Sequence, residues 1–163
     1  MTPDRRGSAT IEFPSDLEVV ITREFDAPIG LVFDVLTKPE HVRRWGASPP
    51  DEMTECSIDL RVGGQYRSSF TTEDGTVCSF SGTYLEVDPP YRTAQTWRFD
   101  GWPDADAVES MQLEERDGVT TLRWTLTFQD QAGRDHMTRF DGQQDSLDQI
   151  DAILRSLLDP EPV

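Results

Sequence analysis

Tight turn signals constrain the fold of this chain more than any other feature of the sequence. Each combines glycine, proline or aspartate, which supply the positive or fixed φ that a reversing backbone needs. Connections this short join antiparallel strands, whereas parallel strands need crossovers of about a dozen residues or more. The signals are Gly63-Gly64, Asp74-Gly75, Asp88-Pro89-Pro90, Gly101-Trp102-Pro103 and Asp117-Gly118. The segment 53–128 is therefore predicted to be an antiparallel meander rather than a parallel βαβ sheet.

Seven strands are predicted from the segments between and before these turns. Each segment alternates between apolar and polar residues or is rich in β-branched and aromatic side chains. The predicted strands are Leu17–Phe25, Met53–Leu60, Gln65–Thr72, Val77–Val87, Tyr91–Phe99, Val108–Arg116 and Val119–Phe128. Helices lie before and after the meander, so the sequence predicts an α+β domain with its helices on one face of the sheet.

Two short helices are predicted between the first two strands. Proline is tolerated in the first turn of a helix, so Asp26-Ala27-Pro28 predicts a helix over Ile29–Leu36, capped by the first or second residue of that tripeptide. The spacing of Thr37-Lys38-Pro39-Glu40 is typical of a capping box and predicts a second helix over His41–Trp45. Both helices therefore come directly after strand one.

The last predicted element is a long helix over Arg134–Leu158. Its apolar residues recur at intervals of three and four: Phe140, Leu147, Ile150, Leu154 and Leu157. A helix of up to ~25 residues is about 37 Å long, which is enough to cross the concave face of the sheet. The predicted fold is a seven-stranded antiparallel sheet around this helix.

A cavity is expected because a strongly twisted sheet curls away from a straight helix. Alternation predicts that Trp97, Phe99 and Trp124 face inward, and the first half of the long helix offers polar residues toward the same space. We expect the lining to comprise Trp45, Tyr66, Phe70, Trp97, Phe99, Met111, Leu113, Trp124, His136, Phe140, Gln143 and Gln144. The alternative is that the two glutamines lie at a wet mouth and the tryptophans are ordinary core.

Charge narrows the classes of partner. The formal net charge is -16, from 31 acidic and 15 basic residues. A polyanionic surface repels phosphate backbones and anionic lipids, so we expect no nucleic acid and no membrane as partners. No apolar run approaches the ~18 residues of a membrane span, and the first residues lack a secretory signal, so a soluble cytoplasmic protein is expected.

Catalytic chemistry is sparse in this sequence. It contains no nucleophile elbow, zinc-protease, P-loop or dinucleotide-binding motif, and we expect no metal and no cofactor. His41 is expected at the surface, which leaves His136 as the one candidate for general acid or base work. Cys56 and Cys78 are expected to be free thiols, with a strand-to-strand disulfide as the alternative.

Four motifs in a fixed order resemble the SRPBCC or START-like superfamily, in the branch of the C-terminal domain of the activator of heat-shock protein 90 ATPase. They are Arg23–Pro28 leading into Val32-Phe33, Thr37–Trp45, Asp59–Tyr66 and Gly82–Pro90. The resemblance implies the helix-grip fold over residues 16–158. The polar, proline-containing ends at 1–15 and 159–163 are expected to be flexible. Relatives often carry Gly-Trp where this chain has Gly142-Gln143, which implies a larger or more polar pocket here.

The resemblance and the predicted cavity together favour a binding protein for a small apolar or aromatic ligand. A cyclase-like or hydrolase-like enzyme using the same cavity stays open as an alternative. The family resemblance alone implies a third possibility, a co-chaperone-like interaction linked to stress response. We expect a monomer or a weak homodimer.

Overall fold

The computed structural model describes residues 5, 7–46, 52–100, 106–137 and 142–158 of the chain, with the backbone alone at Glu52, at 136–137 and at 142–145. Within these ranges the chain forms eight strands and four helices. The strands are β1 Thr10–Glu12, β2 Glu18–Phe25, β3 Glu52–Ile58, β4 Gln65–Thr71, β5 Val77–Asp88, β6 Arg92–Phe99, β7 Ala107–Arg116 and β8 Val119–Phe128. The helices are α1 Ile29–Thr37, α2 Pro39–Trp45, α3 Gln131–Met137 and α4 Gly142–Leu158.

All eight strands join one antiparallel sheet in the order β1-β2-β8-β7-β6-β5-β4-β3. Consecutive strands from β3 to β8 pair antiparallel, as the turn signals predict, although the predicted turn at 101–103 lies outside the described residues. The α+β class and the helix-grip fold are therefore confirmed, with eight strands instead of the predicted seven.

The additional strand is β1, which pairs with β2 in a register that sets Thr10 opposite Thr22 and Glu12 opposite Val20. A strand of three residues is too short to produce a periodic pattern, and its side chains are exposed. Farther toward the N terminus, the Arg5 guanidinium contacts Asp26 at 2.8 Å and Glu24 at 3.0 Å. These contacts lie inside the segment 1–15, whose flexibility stays a prediction, as does that of 159–163, which lies outside the described residues.

The predicted helix caps are wrong. Pro28 is the N-cap of α1 and makes no side-chain cap bond, while the first free amide, that of Ile29, donates to Glu115 Oε1 at 2.6 Å. Asp26 is engaged by Arg5 instead. The Thr37 hydroxyl donates to the Phe33 carbonyl at 2.7 Å because Thr37 is the last residue of α1, so it is not available to cap α2.

The long C-terminal helix appears as α3 and α4, on either side of residues 138–141, which lie outside the described residues. The continuity predicted across Arg134–Leu158 therefore stays a prediction. In α4, Leu147, Ile150 and Leu154 are buried, which confirms the helical period there. None of the helices in the described ranges is long and apolar enough to cross a membrane.

The core lies between the helices and one face of the sheet, which we call the inner face. On β8 the inner face carries Leu122, Trp124, Leu126 and Phe128, as the alternation predicts. Side chains of α1 and α4 complete this core, among them Val32, Phe33, Val35, Leu147, Ile150, Ile153 and Leu154. The opposite, outer face carries the polar residues of the strands.

Gly82 marks an interruption in the sheet between β5 and β6. The ladder skips from the Ser81–Arg98 pair to the Tyr84–Gln95 pair. A Cβ at Gly82 would overlap the Thr96 carbonyl oxygen, which instead accepts a hydrogen bond from the Tyr66 hydroxyl at 2.7 Å. Only glycine fits here, and its absence of a side chain lets the Tyr66 ring lie across β5.

Cys56 and Cys78 are not joined by a disulfide. Cys56 lies on β3 and Cys78 on β5, with β4 between them. Two strand spacings amount to about 9.6 Å, which exceeds the ~7 Å limit between the Cα atoms of a disulfide. The alternative of a strand-to-strand disulfide is therefore excluded.

Candidate functional site

A buried carboxyl group lies near the middle of the inner face. Alternation along β7 turns Ala107, Glu109, Met111 and Leu113 to this face. Glu109 is only 6% exposed, although carboxylates are rarely buried unless they are paired or hydrogen-bonded. This residue is the starting point for a candidate site.

Two neighbouring strands supply the hydrogen bonds of Glu109. Gln95, its direct partner on β6, donates from Nε2 to Oε1 at 2.6 Å. Trp124 on β8 donates from Nε1 to Oε2 at 2.8 Å. Burial raises the pKa of Glu109, and these two bonds from neutral donors oppose the rise only in part. We call Gln95, Glu109 and Trp124 the polar triad.

One atom of the polar triad is left without a partner. Gln95 is 5% exposed, and its Oε1 is buried with no hydrogen-bond partner among the described residues. The amide orientation follows from chemistry, because only the NH2 group can donate to a carboxylate. A buried acceptor left unpaired costs about 1–3 kcal/mol. The inner face therefore presents an acceptor that requires a donor.

Two tyrosines border the polar triad on the side of β4 and β5. The rings of Tyr66 and Tyr84 lie 5.6 Å apart, and Tyr84 is the cross-strand partner of Gln95. Burial, followed by the proximity of Glu109, raises the pKa of both phenols. Both tyrosines are therefore neutral and available for hydrogen bonding only.

Beyond the polar triad, toward Phe99 at the C-terminal end of β6, lies a group of rings that we call the aromatic cluster. Phe80 is its centre, with ring-centroid distances of 5.8 Å to Phe70, 5.2 Å to Trp97 and 4.9 Å to Phe99. Trp97 in turn meets Phe128 edge-on at 6.0 Å. Phe70, Phe80, Trp97 and Phe99 are only half-buried, unlike the residues of the core. This part of the inner face is therefore accessible.

Five of the predicted lining residues come together in this region. Phe70, Trp97 and Phe99 belong to the aromatic cluster, Trp124 to the polar triad, and Tyr66 borders it. Their grouping agrees with the expected cavity wall, and their role as a ligand site stays a prediction.

Three other predicted lining residues lie elsewhere. Trp45 is buried in the core and donates from its indole to the Val35 carbonyl at 2.8 Å. Met111 and Leu113 line a crevice beneath α1, which leaves no space for a water molecule. The side chains of these three residues are therefore packed in the core.

The side chains of the remaining four predicted lining residues lie outside the described part of the structure. Phe140 lies outside the described residues, as do the side chains of His136, Gln143 and Gln144. Sequence reasoning missed Gln95 and Glu109 altogether. The available signal was the alternation along β7, because Glu109 falls between Ala107 and Met111 in an otherwise apolar inward set.

Near the C-terminal end of β2, a buried ion pair holds α4 against the sheet. The Arg23 side chain is fully buried, and its Nη1 donates to Asp148 Oδ1 at 2.9 Å. The guanidinium also lies 5.1 Å from the Phe25 ring centroid and 3.9 Å from Asp151 Oδ2. This arrangement fixes α4 at the end of the inner face opposite the aromatic cluster.

A second hollow, of about 410 Å³, lies beside the outward residues Ser81, Thr96, Arg98, Val108 and Thr127. Arg98 is already bound by both oxygens of Asp106, at 2.8 and 2.7 Å. Arg98 is therefore not a free cation for a ligand. The inner face is the stronger candidate site.

Comparison with known proteins places these features in a family context. The family model described as "Activator of Hsp90 ATPase homolog 1-like protein" matches residues 26–155. A protein of Schizosaccharomyces pombe, described only as uncharacterized, is 29% identical over 103 residues, which is 63% of this chain and 27% of that protein. The chain thus spans about a quarter of the length of the curated relative it matches.

Solved structures share the fold over nearly the whole chain. A Rhodobacter sphaeroides protein is 22% identical with a TM-score of 0.84, covering 91% of this chain and 99% of its own. A Mycobacterium smegmatis protein is 23% identical with a TM-score of 0.79, covering 90% and 96%. At these identities the likeness is one of architecture.

Proposed function

We propose that this chain, which belongs to the Activator of Hsp90 ATPase homolog 1-like family, binds a small neutral aromatic ligand on the inner face of its sheet. The observation that carries the proposal is the aromatic cluster. Four of its rings are half-buried, whereas apolar residues at the other end of the inner face, such as Leu113 and Leu122, are buried. Exposed aromatic surface in contact with convergent polar groups is typical of small-molecule sites.

The geometry of the cluster supports an aromatic ligand in particular. Phe80 lies within 4.9–5.8 Å of three neighbouring rings, at the centroid separations that stacked and tilted pairs prefer. A further ring on the half-buried side of Phe80 would gain the same contacts. It would also remove this apolar surface from water.

Charge supports a neutral ligand. The formal net charge of -16 opposes the approach of an anion, and Glu109 would repel one at the site itself. A cation would gain little from Glu109, because both of its carboxylate oxygens already accept hydrogen bonds, from Gln95 and from Trp124. The polar triad therefore suits uncharged partners that form hydrogen bonds.

The proposal is tested by titrating the full chain with 2-naphthol and following backbone and indole signals by heteronuclear NMR. We expect the largest shifts at Trp97, Phe80 and Trp124. Phe80→Ala should weaken binding about tenfold, whereas Tyr91→Ala, an exposed aromatic on the β5–β6 turn, should leave it unchanged. Absence of shifts at the aromatic cluster at millimolar ligand would contradict the proposal.

The family description also supports a second candidate, a co-chaperone-like interaction with the heat-shock protein 90 machinery. A pull-down with the middle domain of that chaperone, with and without 2-naphthol, separates the two. Retention that is unaffected by ligand would favour the interaction role, and absence of retention would remove it. An enzymatic role for His136 stays a prediction, tested by turnover of any ligand found in His136→Gln.

A further inference from the structure

We infer that the polar triad selects ligands carrying an O–H or N–H donor, which would bond to Gln95 Oε1, over analogues of the same shape without that donor. This inference rests on the proposed function, because it names the chemistry that orients a ligand already held by the aromatic cluster. The ligand class is thus a neutral hydroxylated or N–H-bearing aromatic compound.

The first step is that Gln95 Oε1 cannot gain a hydrogen bond by turning the amide over. Its Nε2 is committed to Glu109 at 2.6 Å, and turning the amide over would set two acceptors against each other while Glu109 is ionised. Oε1 therefore stays on the side away from the carboxylate. There it has no partner among the described residues.

The second step is that the donors around the polar triad do not serve Gln95 Oε1. Tyr84, the cross-strand partner of Gln95, makes no hydrogen bond to it. Tyr66 gives its hydroxyl hydrogen to the Thr96 carbonyl at 2.7 Å. Trp124 gives its single N–H to Glu109 at 2.8 Å. Each of these groups has only one hydrogen to donate, so neither can also serve Gln95 Oε1.

The third step is the position of this acceptor relative to the aromatic cluster. Gln95 and Trp97 lie two residues apart on β6 and face the same side of the sheet. A strand rises about 3.3 Å per residue, so the two positions are roughly 7 Å apart along the strand. A fused two-ring compound with one hydroxyl is long enough to meet both.

A water molecule is the competing partner for Gln95 Oε1. A ligand donor that reproduces the bond of a displaced water keeps affinity, whereas a group that cannot reproduce it loses affinity. Ligands with a donor should therefore bind more tightly than ligands without one, because only the donor restores the hydrogen bond to Gln95 Oε1. If a water stays bound beneath the ligand, the two kinds should bind equally.

The test compares 2-naphthol, 2-methoxynaphthalene and 2-naphthoate by calorimetric titration of the full chain at neutral pH. The methoxy compound keeps the rings and the oxygen but lacks the donor. We expect 2-naphthol to bind about tenfold more tightly than the methoxy compound, and naphthoate to bind most weakly. In Gln95→Met the two neutral probes should bind alike, whereas Gln112→Met, on the outer face of β7, should keep the preference.

The outcomes separate the inference from the proposed function. Equal binding of 2-naphthol and 2-methoxynaphthalene to the unsubstituted chain overturns the inference and leaves the proposed function intact. Absence of binding by all three probes overturns both. Should Gln95→Met fail to fold, the comparison of probes on the unsubstituted chain still decides the question.

Discussion

Arg23 of β2 reaches Asp148 of α4 with a hydrogen bond of 2.9 Å, and its side chain is fully buried where it does so. A second carboxylate, Asp151, lies 3.9 Å from the same guanidinium and is itself bound by Arg155 at 2.9 Å. The terminal helix is therefore held to the sheet by charge as well as by its apolar stripe.

Replacing Arg23 by methionine should lower the free energy of unfolding by about 1.5–3 kcal/mol, because it removes a charged hydrogen bond made by a fully buried side chain. Urea denaturation measures this directly. Arg61→Met is the matched control, since the Arg61–Asp59 pair is exposed and such pairs contribute about 0–1 kcal/mol. Equal losses in the two variants would show that burial of Arg23 is not what makes its ion pair important.

Glu109 should make stability depend on pH. Its pKa is raised on folding, so its contribution is fully present below the ordinary glutamate pKa of about 4.5 and is lost as pH rises through the raised value. In Glu109→Gln, the new NH2 group can donate to Gln95 Oε1 while the new carbonyl accepts from Trp124. We therefore expect this variant to fold and to lose that part of the pH dependence.

Thermal denaturation of both proteins between pH 4 and pH 8 checks the prediction for Glu109. The variant should gain stability relative to the unsubstituted chain as pH increases. Parallel curves across the whole range would mean that Glu109 has the same pKa in the folded and unfolded chains. Because Gln95 Oε1 acquires a partner in this variant, it should also lose the preference for 2-naphthol over its methyl ether.

Gly82→Ala should destabilise the fold by more than about 2 kcal/mol, since the added Cβ overlaps the Thr96 carbonyl oxygen and the strands must separate to admit it. Gly30→Ala provides the contrast. A Cβ at Gly30 meets nothing within 4 Å in α1, so alanine should stabilise the helix by about 0.5–1 kcal/mol. We expect the denaturant midpoint to fall in Gly82→Ala and to rise in Gly30→Ala. An unchanged midpoint in Gly82→Ala would contradict the steric account.

Trp45 and Trp97 should respond differently to substitution. Trp45→Phe removes the bond to the Val35 carbonyl and should cost about 1–3 kcal/mol of stability without changing the affinity for 2-naphthol. Trp97→Leu removes a half-buried ring of the aromatic cluster and should weaken the affinity about tenfold. A change of affinity in Trp45→Phe would place Trp45 in the ligand site after all.

The strand order could be predicted from the sequence because glycine and proline act locally, and short reversals leave only antiparallel pairing. The helix caps could not, because their partners are distant in the chain: Glu115 reaches Ile29, and Arg5 occupies Asp26. The strand β1 was missed for a related reason. Its three residues are exposed and gain their structure from pairing with β2.

The aromatic half of the candidate site was largely predictable, since alternation alone turns Phe70, Trp97, Phe99 and Trp124 inward. The polar half was not, because a glutamate and a glutamine on strands are usually expected to face solvent. Alternation does turn Gln95 and Glu109 inward with their neighbours, but their pairing across β6 and β7 depends on cross-strand register, which is a tertiary property. The polar residues that the sequence did suggest lie on the terminal helix.

The short strand β1 has a consequence for self-association. It pairs with the backbone of Val20–Thr22 in β2. This segment of β2 is rich in β-branched residues and would otherwise be an open edge of the sheet. Such an uncovered edge is a template on which further chains can add as strands. Pairing with three residues of β1 thus removes this segment of β2 as a template for strand addition.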